Sequence, residues 1–193
     1  MKAPLFSGRA FALASLRLAR GLLAGALASG CNLDVLHEDP VHQSAVDALG
    51  PEDPAVPPGP SHRPGQPCTL CHGIEGPARV PFTLAGTVFS GPDGKTGVGG
   101  AQVLLVDSVH SSPPAGAIVT NCAGNFFVTQ DVWDPEFPIR VALASGAFSA
   151  GMISHIGRAG SCGTCHVGMQ SLDSPGPVYL PGAPSDGCAG GTQ

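Results

Sequence analysis

Between residues 80 and 150, short apolar runs alternate with turns rich in glycine, proline and asparagine. The runs carry many β-branched and aromatic residues, and none is long enough to show the period of an amphipathic helix. The predicted strands cover residues 82–89, 101–106, 117–120, 125–128 and 138–144. Several short strands linked by tight turns predict a mainly-β fold, and more specifically a small β-sandwich.

The chain on either side of this β-rich region has no regular apolar period. Residues 31–64 combine many prolines and several acids with few large apolar side chains. Such a composition predicts a disordered, extended tether, with at most a turn or two of helix over residues 41–49. Residues 65–79 and 151–193 each contain cysteines among Gly, Pro and small polar residues, which predicts irregular flanking segments.

The N-terminus has the pattern of an export signal. Four basic residues precede a short apolar run at residues 21–28, and small residues lead directly into Cys31. The apolar run is too short to cross a bilayer core of roughly 30 Å. Residues 28–31 resemble the lipobox of bacterial lipoproteins, although Ala28 stands where that motif usually has leucine. The resemblance implies cleavage of residues 1–30, a lipid on Cys31 that anchors the chain to a membrane, and a periplasmic, outer-membrane or cell-surface location. Ordinary secretory cleavage with a structural Cys31 remains the alternative.

The charge of the exported chain limits its partners. Without residues 1–30, five Lys/Arg remain against fourteen Asp/Glu, a formal net charge of −9. This acidic balance argues against nucleic acid and against electrostatic attachment to anionic lipid. In an oxidising compartment, cysteines that hold no cofactor tend to pair, so Cys122 and Cys188 are a possible disulfide.

The pattern Cys-x-x-Cys-His occurs twice, at residues 68–72 and 162–166. It is the attachment signature of c-type haem, because two thiols at this spacing add to two vinyl groups of one porphyrin. The following imidazole then reaches the iron as proximal ligand. The predicted thioether residues are Cys68, Cys71, Cys162 and Cys165, and the predicted iron ligands are His72 and His166. The resemblance to multihaem cytochromes is confined to these motifs, and it implies two covalent haems.

Each iron of such a pair has a second axial position to fill. Near the second motif in sequence lie His155, Met152 and Met169, and near the first lies His62. His155 ranks first among the candidates for the second site, with Met152 as the other principal candidate. A methionine sulfur gives a higher reduction potential than a second imidazole.

The order of the predicted strands resembles the carboxypeptidase regulatory-like, transthyretin-type β-sandwich. The matching positions are Gly86, Val88, Val98, Ala101, Val103, Thr120, Gly124 and Phe126. The resemblance implies an accessory domain without an activity of its own. A seven-stranded sandwich has its termini at opposite ends, which favours separation of the two Cys-x-x-Cys-His motifs, whereas flanking segments that fold back would bring the motifs together.

Two functions are compatible with these features. The first is an exported, membrane-anchored dihaem protein that transfers or senses electrons, together with redox partner proteins of the cell envelope. The second is a non-catalytic binding or structural module in which the motif cysteines form disulfides or jointly hold zinc. No nucleophilic triad or phosphate-binding loop is present, so an enzyme is not indicated. Asp134 and Glu136 are predicted to lie in a solvated loop, with Trp133 and Phe137 capping the sandwich.

Overall fold

The structure is a computed structural model that describes residues 40–54, 56, 59–109 and 118–184. All of them belong to one compact unit, Asp39–Gln193. The predicted signal peptide, the predicted lipidation site Cys31 and the predicted disulfide partner Cys188 lie outside the described residues. Within the described ranges, no helix has the length and apolar character needed to cross a membrane.

The described residues contain six β-strands in two antiparallel sheets. The strands are β1 Phe82–Thr87, β2 Gln102–Val106, β3 Ile118–Val119, β4 Asn125–Thr129, β5 Arg140–Ser145 and β6 Phe148–Gly151. Strand β1 pairs with β4, and the other sheet has the order β3-β2-β5-β6. The mainly-β prediction is therefore confirmed. Each of the five predicted strands is present, with ends shifted by a few residues.

Strand β6 is not among the predicted strands. Ser145 pairs with Phe148, so Gly146 and Ala147 form a two-residue hairpin loop between β5 and β6. Gly146 has a φ of +57°, which the first position of such a loop requires. A glycine at the start of a two-residue loop is the sequence signal for this hairpin. The residues of β6 are small or exposed, so no apolar pattern reveals the strand.

The core is one apolar cluster to which both sheets contribute. Its members are Leu84, Val88, Val98, Ala101, Val103, Leu105, Phe126, Val128, Ile139, Val141, Leu143, Leu180 and Ala183. Strand β2 alternates between buried and exposed residues, as expected for a strand with one face in water. Trp133 and Phe137 pack against the cluster while Asp134 and Glu136 are exposed, which confirms the prediction for this loop.

Strand β1 is covered on both faces. Its last four residues, 84–87, are all buried, in contrast to the alternation in β2. A strand with this pattern has packed structure on each side. On one side is the apolar core, and on the other are the segments that carry the two Cys-x-x-Cys-His motifs. Strand β1 therefore positions the candidate site.

The described part of the chain also contains three short helices: α1 Pro40–Ala48, α2 Cys68–His72 and α3 Cys162–Cys165. Helices α2 and α3 coincide with the two motifs, so the prediction of irregular flanking segments is wrong for these single turns, while most of the other described residues in these segments are irregular as predicted. The helices are too short to show an apolar period in the sequence. In one helical turn, positions i and i+3 lie on the same face. Both cysteines of each motif therefore share a face of their helix.

Part of the predicted tether is bonded to the β-rich region. Residues 40–48 form α1, and residues 60–63 are hydrogen-bonded to the start of β4. The side chain of Asn121 donates to the carbonyl of Pro60 at 2.7 Å. Arg63 pairs with Glu52 at 3.3 Å and donates to the carbonyl of Gly50 at 2.7 Å. The expectation of an extended segment is wrong here, because polar bonds rather than apolar burial hold it.

Candidate functional site

The two Cys-x-x-Cys-His motifs lie side by side. A Cβ placed on Gly163 of α3 would lie only 2.6 Å from the carbonyl carbon of Gln66, just before α2. Backbone can approach backbone this closely only where one residue lacks a side chain. Cys68 also lies close enough to Cys162 to influence its ionisation. The expected separation of the motifs at opposite ends of the fold is therefore wrong.

Strand β1 brings the motifs together because both flanking segments bind to it. The amide of Gly65, before the first motif, donates to the hydroxyl of Thr87 at 2.7 Å. The amide of Ala85 donates to the carbonyl of Gly160, before the second motif, at 2.7 Å. The sulfur of Cys162 then lies over Gly86, where a Cβ would be 2.6 Å away. Glycine at position 86 leaves the space that this sulfur occupies.

The two motif histidines share one hydrogen-bonding arrangement. Nδ1 of His72 lies 2.9 Å from the carbonyl oxygen of Val80, and Nδ1 of His166 lies 2.7 Å from that of Gly176. A carbonyl oxygen only accepts, so Nδ1 carries the proton in both rings. Nε2 is then the nitrogen with a free lone pair. Metal-binding histidines are held in this way by a bond from their other nitrogen.

The four motif cysteines are free thiols, so neither pair forms a disulfide. Burial raises the pKa of Cys68 above its usual value. Burial, together with the neighbouring Cys68, raises the pKa of Cys162 to about 12. These two thiols are therefore protonated at neutral pH, whereas Cys165 is exposed.

In the folded chain, we expect iodoacetamide to modify Cys165 well before Cys162. The thiolate is the reacting species, and at mildly alkaline pH Cys162 has almost none. Peptide mass mapping over time measures both rates, and the denatured chain, in which both thiols are exposed, is the control. Equal rates in the folded chain would contradict the raised pKa of Cys162.

An apolar cleft of about 500 Å³ adjoins the second motif. Cys162 and His166 line it together with core residues of β5 and with Met152. Its volume falls within the roughly 300–1,000 Å³ that is usual for small-molecule and cofactor sites. His155 is exposed and does not line this cleft. Of the two principal candidates for the second axial position, Met152 lines the cleft that His166 also lines, and His155 does not.

The pocket at the first motif is smaller, about 50 Å³, and is lined by Cys68, Cys71, His72 and also by His62. The ring of His72 stacks on Phe82, with centres 4.0 Å apart, and Phe82 stacks on Phe127 at 4.6 Å. This pocket does not enclose a porphyrin. Its two cysteines and the following histidine are the donor set that haem attachment would use, but the pocket is far smaller than a porphyrin.

The remaining cysteine chemistry is separate from the motifs. In the part of the chain that the structure describes, no three His, Cys, Asp or Glu side chains are grouped to hold a metal ion. Cys122 is disulfide-bonded. Cys188, the partner predicted from the sequence, lies outside the described residues. The pairing of Cys122 with Cys188 stays a prediction.

Some residues that build the site were missed by the sequence analysis. Gly86, Gly160 and Gly163 permit the close approaches, and Thr87 binds the first flanking segment. Gly163 lies inside the second motif, but a glycine between two cysteines does not reveal which backbone it will meet.

Comparison with protein-family models, with curated proteins and with solved structures finds no match for this chain.

Proposed function

We propose that this chain is an exported, lipid-anchored dihaem protein of the c-type cytochrome kind that transfers or senses electrons. One observation carries the proposal. The two pairs of free thiols lie on two short helices that are packed side by side. A histidine directly follows each pair, and its Nδ1 is hydrogen-bonded to a backbone carbonyl. Cysteines at this spacing with an imidazole presented through Nε2 are what covalent haem attachment requires.

Each motif would hold one haem. Cys68 and Cys71 supply thioether bonds at the first site, and Cys162 and Cys165 supply them at the second. His72 and His166 bind iron through Nε2. The haem supplies reversible one-electron chemistry when bound. The chain would fix the imidazole tautomers, line the second site with apolar walls, and keep the two sites next to each other.

The rest of the chain serves as support and anchor in this proposal. The two sheets and their shared apolar cluster would be a β-sandwich of the transthyretin type. Strand β1 would support both sites. A lipid on Cys31 holds the protein at a membrane of the cell envelope, where redox partner proteins exchange electrons with it. The alternative is a module in which the motif cysteines form disulfides or jointly hold zinc, and the proximity of Cys68 to Cys162 is the observation in its favour. Against it, the motif cysteines are free, and no three ligand side chains among the described residues are grouped to hold a metal ion.

The absorption spectrum of the exported protein tests the proposal. The protein is made in a host that attaches haem c, and spectra are recorded oxidised and reduced. We expect a sharp α-band on reduction, and the pigment should remain with the protein after extraction with acidified solvent, because thioether bonds survive it. A colourless protein, or one whose pigment is extracted, would contradict covalent attachment.

The second site should have the higher potential because of Met152. We expect Met152→Ala to lower the reduction potential of one haem and His155→Ala to leave both unchanged, since Met/His ligation raises the potential. A redox titration followed by absorbance measures both. His155→Ala is the matched control, because His155 is the neighbouring candidate outside the cleft. A shift with His155→Ala and none with Met152→Ala would reverse the assignment.

A further inference from the structure

The first cysteines of the two motifs lie where their helices meet. Cys68 begins helix α2 and Cys162 begins helix α3. A Cβ on Gly163, directly after Cys162, would lie 2.6 Å from the carbonyl oxygen of Gln66. The same Cβ would lie 2.8 Å from the nitrogen of Pro67, directly before Cys68. The chain neighbours of the two cysteines are therefore in backbone contact.

The side chains of this pair are close as well. The Sγ atom of Cys68 lies 3.5 Å from the carbonyl oxygen of Gln66, the same atom that a Cβ on Gly163 would meet. Phe126 lines both the pocket that includes Cys68 and the cleft that includes Cys162. Burial and then the charge of Cys68 raise the pKa of Cys162, and such a charge effect requires a near neighbour.

The surroundings of the pair suit a disulfide better than a metal. A disulfide is uncharged, whereas zinc binds thiolates, and burying charge without a partner is costly. Burial is the main influence on both Cys68 and Cys162, since it is the largest cause of the raised pKa of each. Among the described residues, no three ligand side chains are grouped to hold a metal ion.

We propose that Cys68 and Cys162 form a reversible disulfide that links the two motifs before any haem is attached. Both are free thiols in this structure, which thus describes the reduced form of the pair. The oxidant is a disulfide of the oxidising compartment, on a protein or a small molecule. Its S–S bond breaks as the new S–S bond forms. The two electrons and two protons that the cysteines lose become part of the two S–H groups of the reduced oxidant.

The exposed thiol of Cys165 gives the oxidant a way in. Cys165 and Cys162 share a face of α3, so a mixed disulfide on Cys165 can be displaced by Cys162. Attack by Cys68 on Cys162 then moves the bond to the buried pair and frees Cys165. Each step exchanges one S–S bond for another, so no further oxidant is needed.

The consequence is that both haem sites close together. One bond removes one thiol from each motif, and one reduction returns both. Disulfides within the motifs would instead close each site separately. The bond itself needs no haem, and only this consequence rests on the proposed dihaem function.

The test uses the full-length chain exported by a host that does not attach haem c. The chain is equilibrated in a buffer of oxidised and reduced glutathione, its free thiols are blocked with N-ethylmaleimide, and it is digested with trypsin without reduction. Cleavage after Arg79 and Arg158 separates the motifs. We expect mass spectrometry to find the peptide that ends at Arg79 joined to the peptide that follows Arg158, and dithiothreitol to separate them.

The variants Cys68→Ala and Cys71→Ala are a matched pair, because both remove one thiol from the first motif. The link should be lost in Cys68→Ala and kept in Cys71→Ala. Unlinked motif peptides in the unmodified chain, or a link lost equally in both variants, would overturn the disulfide and leave the dihaem function untouched. If the link forms but a haem-attaching host yields no covalent haem, the disulfide stands and the dihaem function fails.

Discussion

Replacing Cys162 and Cys165 together with alanine should remove one of two covalent haems and leave the other attached. In the proposed dihaem protein each porphyrin would take both thioether bonds from one motif, so the loss would be complete at that site rather than partial. Cys68→Ala with Cys71→Ala should give the complementary protein. Haem content per chain, measured by absorbance and by mass after denaturation, distinguishes the three proteins.

The matched control is Cys122→Ala. Cys122 is disulfide-bonded and belongs to neither motif, so this variant should keep both haems even if its stability falls. Both motifs pack on strand β1, so the experiment must show that haem attachment at one motif does not depend on attachment at the other. A double variant that keeps both haems, or one that loses both, would contradict one haem per motif.

Gly163→Ala should destabilise the protein by about 1–3 kcal/mol, the range for inserting a methyl group where the structure cannot yield. The new Cβ would lie 2.6 Å from the carbonyl carbon and oxygen of Gln66 and 2.8 Å from the nitrogen of Pro67. All three are backbone atoms, so relief requires α3 to move away from α2. Urea denaturation of the haem-loaded protein measures the loss.

Gly157→Ala is the control for this substitution. Nothing lies within 4 Å of a Cβ at Gly157, so its stability should be unchanged or slightly increased. Gly160→Ala should resemble Gly163→Ala, because its Cβ would meet the carbonyl oxygen of Thr83 in β1. If Gly163→Ala unfolds at the same urea concentration as Gly157→Ala, the motifs are not packed together as described.

The local features of this protein are largely predictable from its sequence. The strands follow from apolar runs between turn residues, because β-pairing of short runs needs only local composition and a turn. The haem-binding hypothesis follows from the spacing of Cys162, Cys165 and His166 alone. Strand β6 was not predicted because its register depends on the hairpin loop at Gly146 rather than on an apolar pattern.

The assembly of the site depends on contacts between distant parts of the chain. The bond from Ala85 to Gly160 places the second motif on β1, and the bond from Gly65 to Thr87 places the first. Glycine amides and carbonyls carry no sequence signal for such pairing. Proximity in sequence also favoured His155, but after β6 the chain exposes that ring and turns Met152 toward the cleft.

The position of the segment around His62 could not be predicted either, because polar contacts hold it. Its prolines and acids indicate an extended tether, since composition measures how much apolar surface a segment can bury. The bonds from Asn121 and Asn125 hold it instead. Side-chain amides that bind distant carbonyls are invisible to patterns of hydrophobicity.

The mass of the intact, denatured protein tests the central claim most directly. The full chain is produced in a host that exports it and attaches haem c, beside a variant with Cys68, Cys71, Cys162 and Cys165 all replaced by alanine. Signal cleavage and any lipid are then the same in both. The account predicts that the unmodified protein is heavier by two haems, after correction for the four sulfur atoms. Equal corrected masses, with the thiols free, oxidised or bound to zinc, would contradict it.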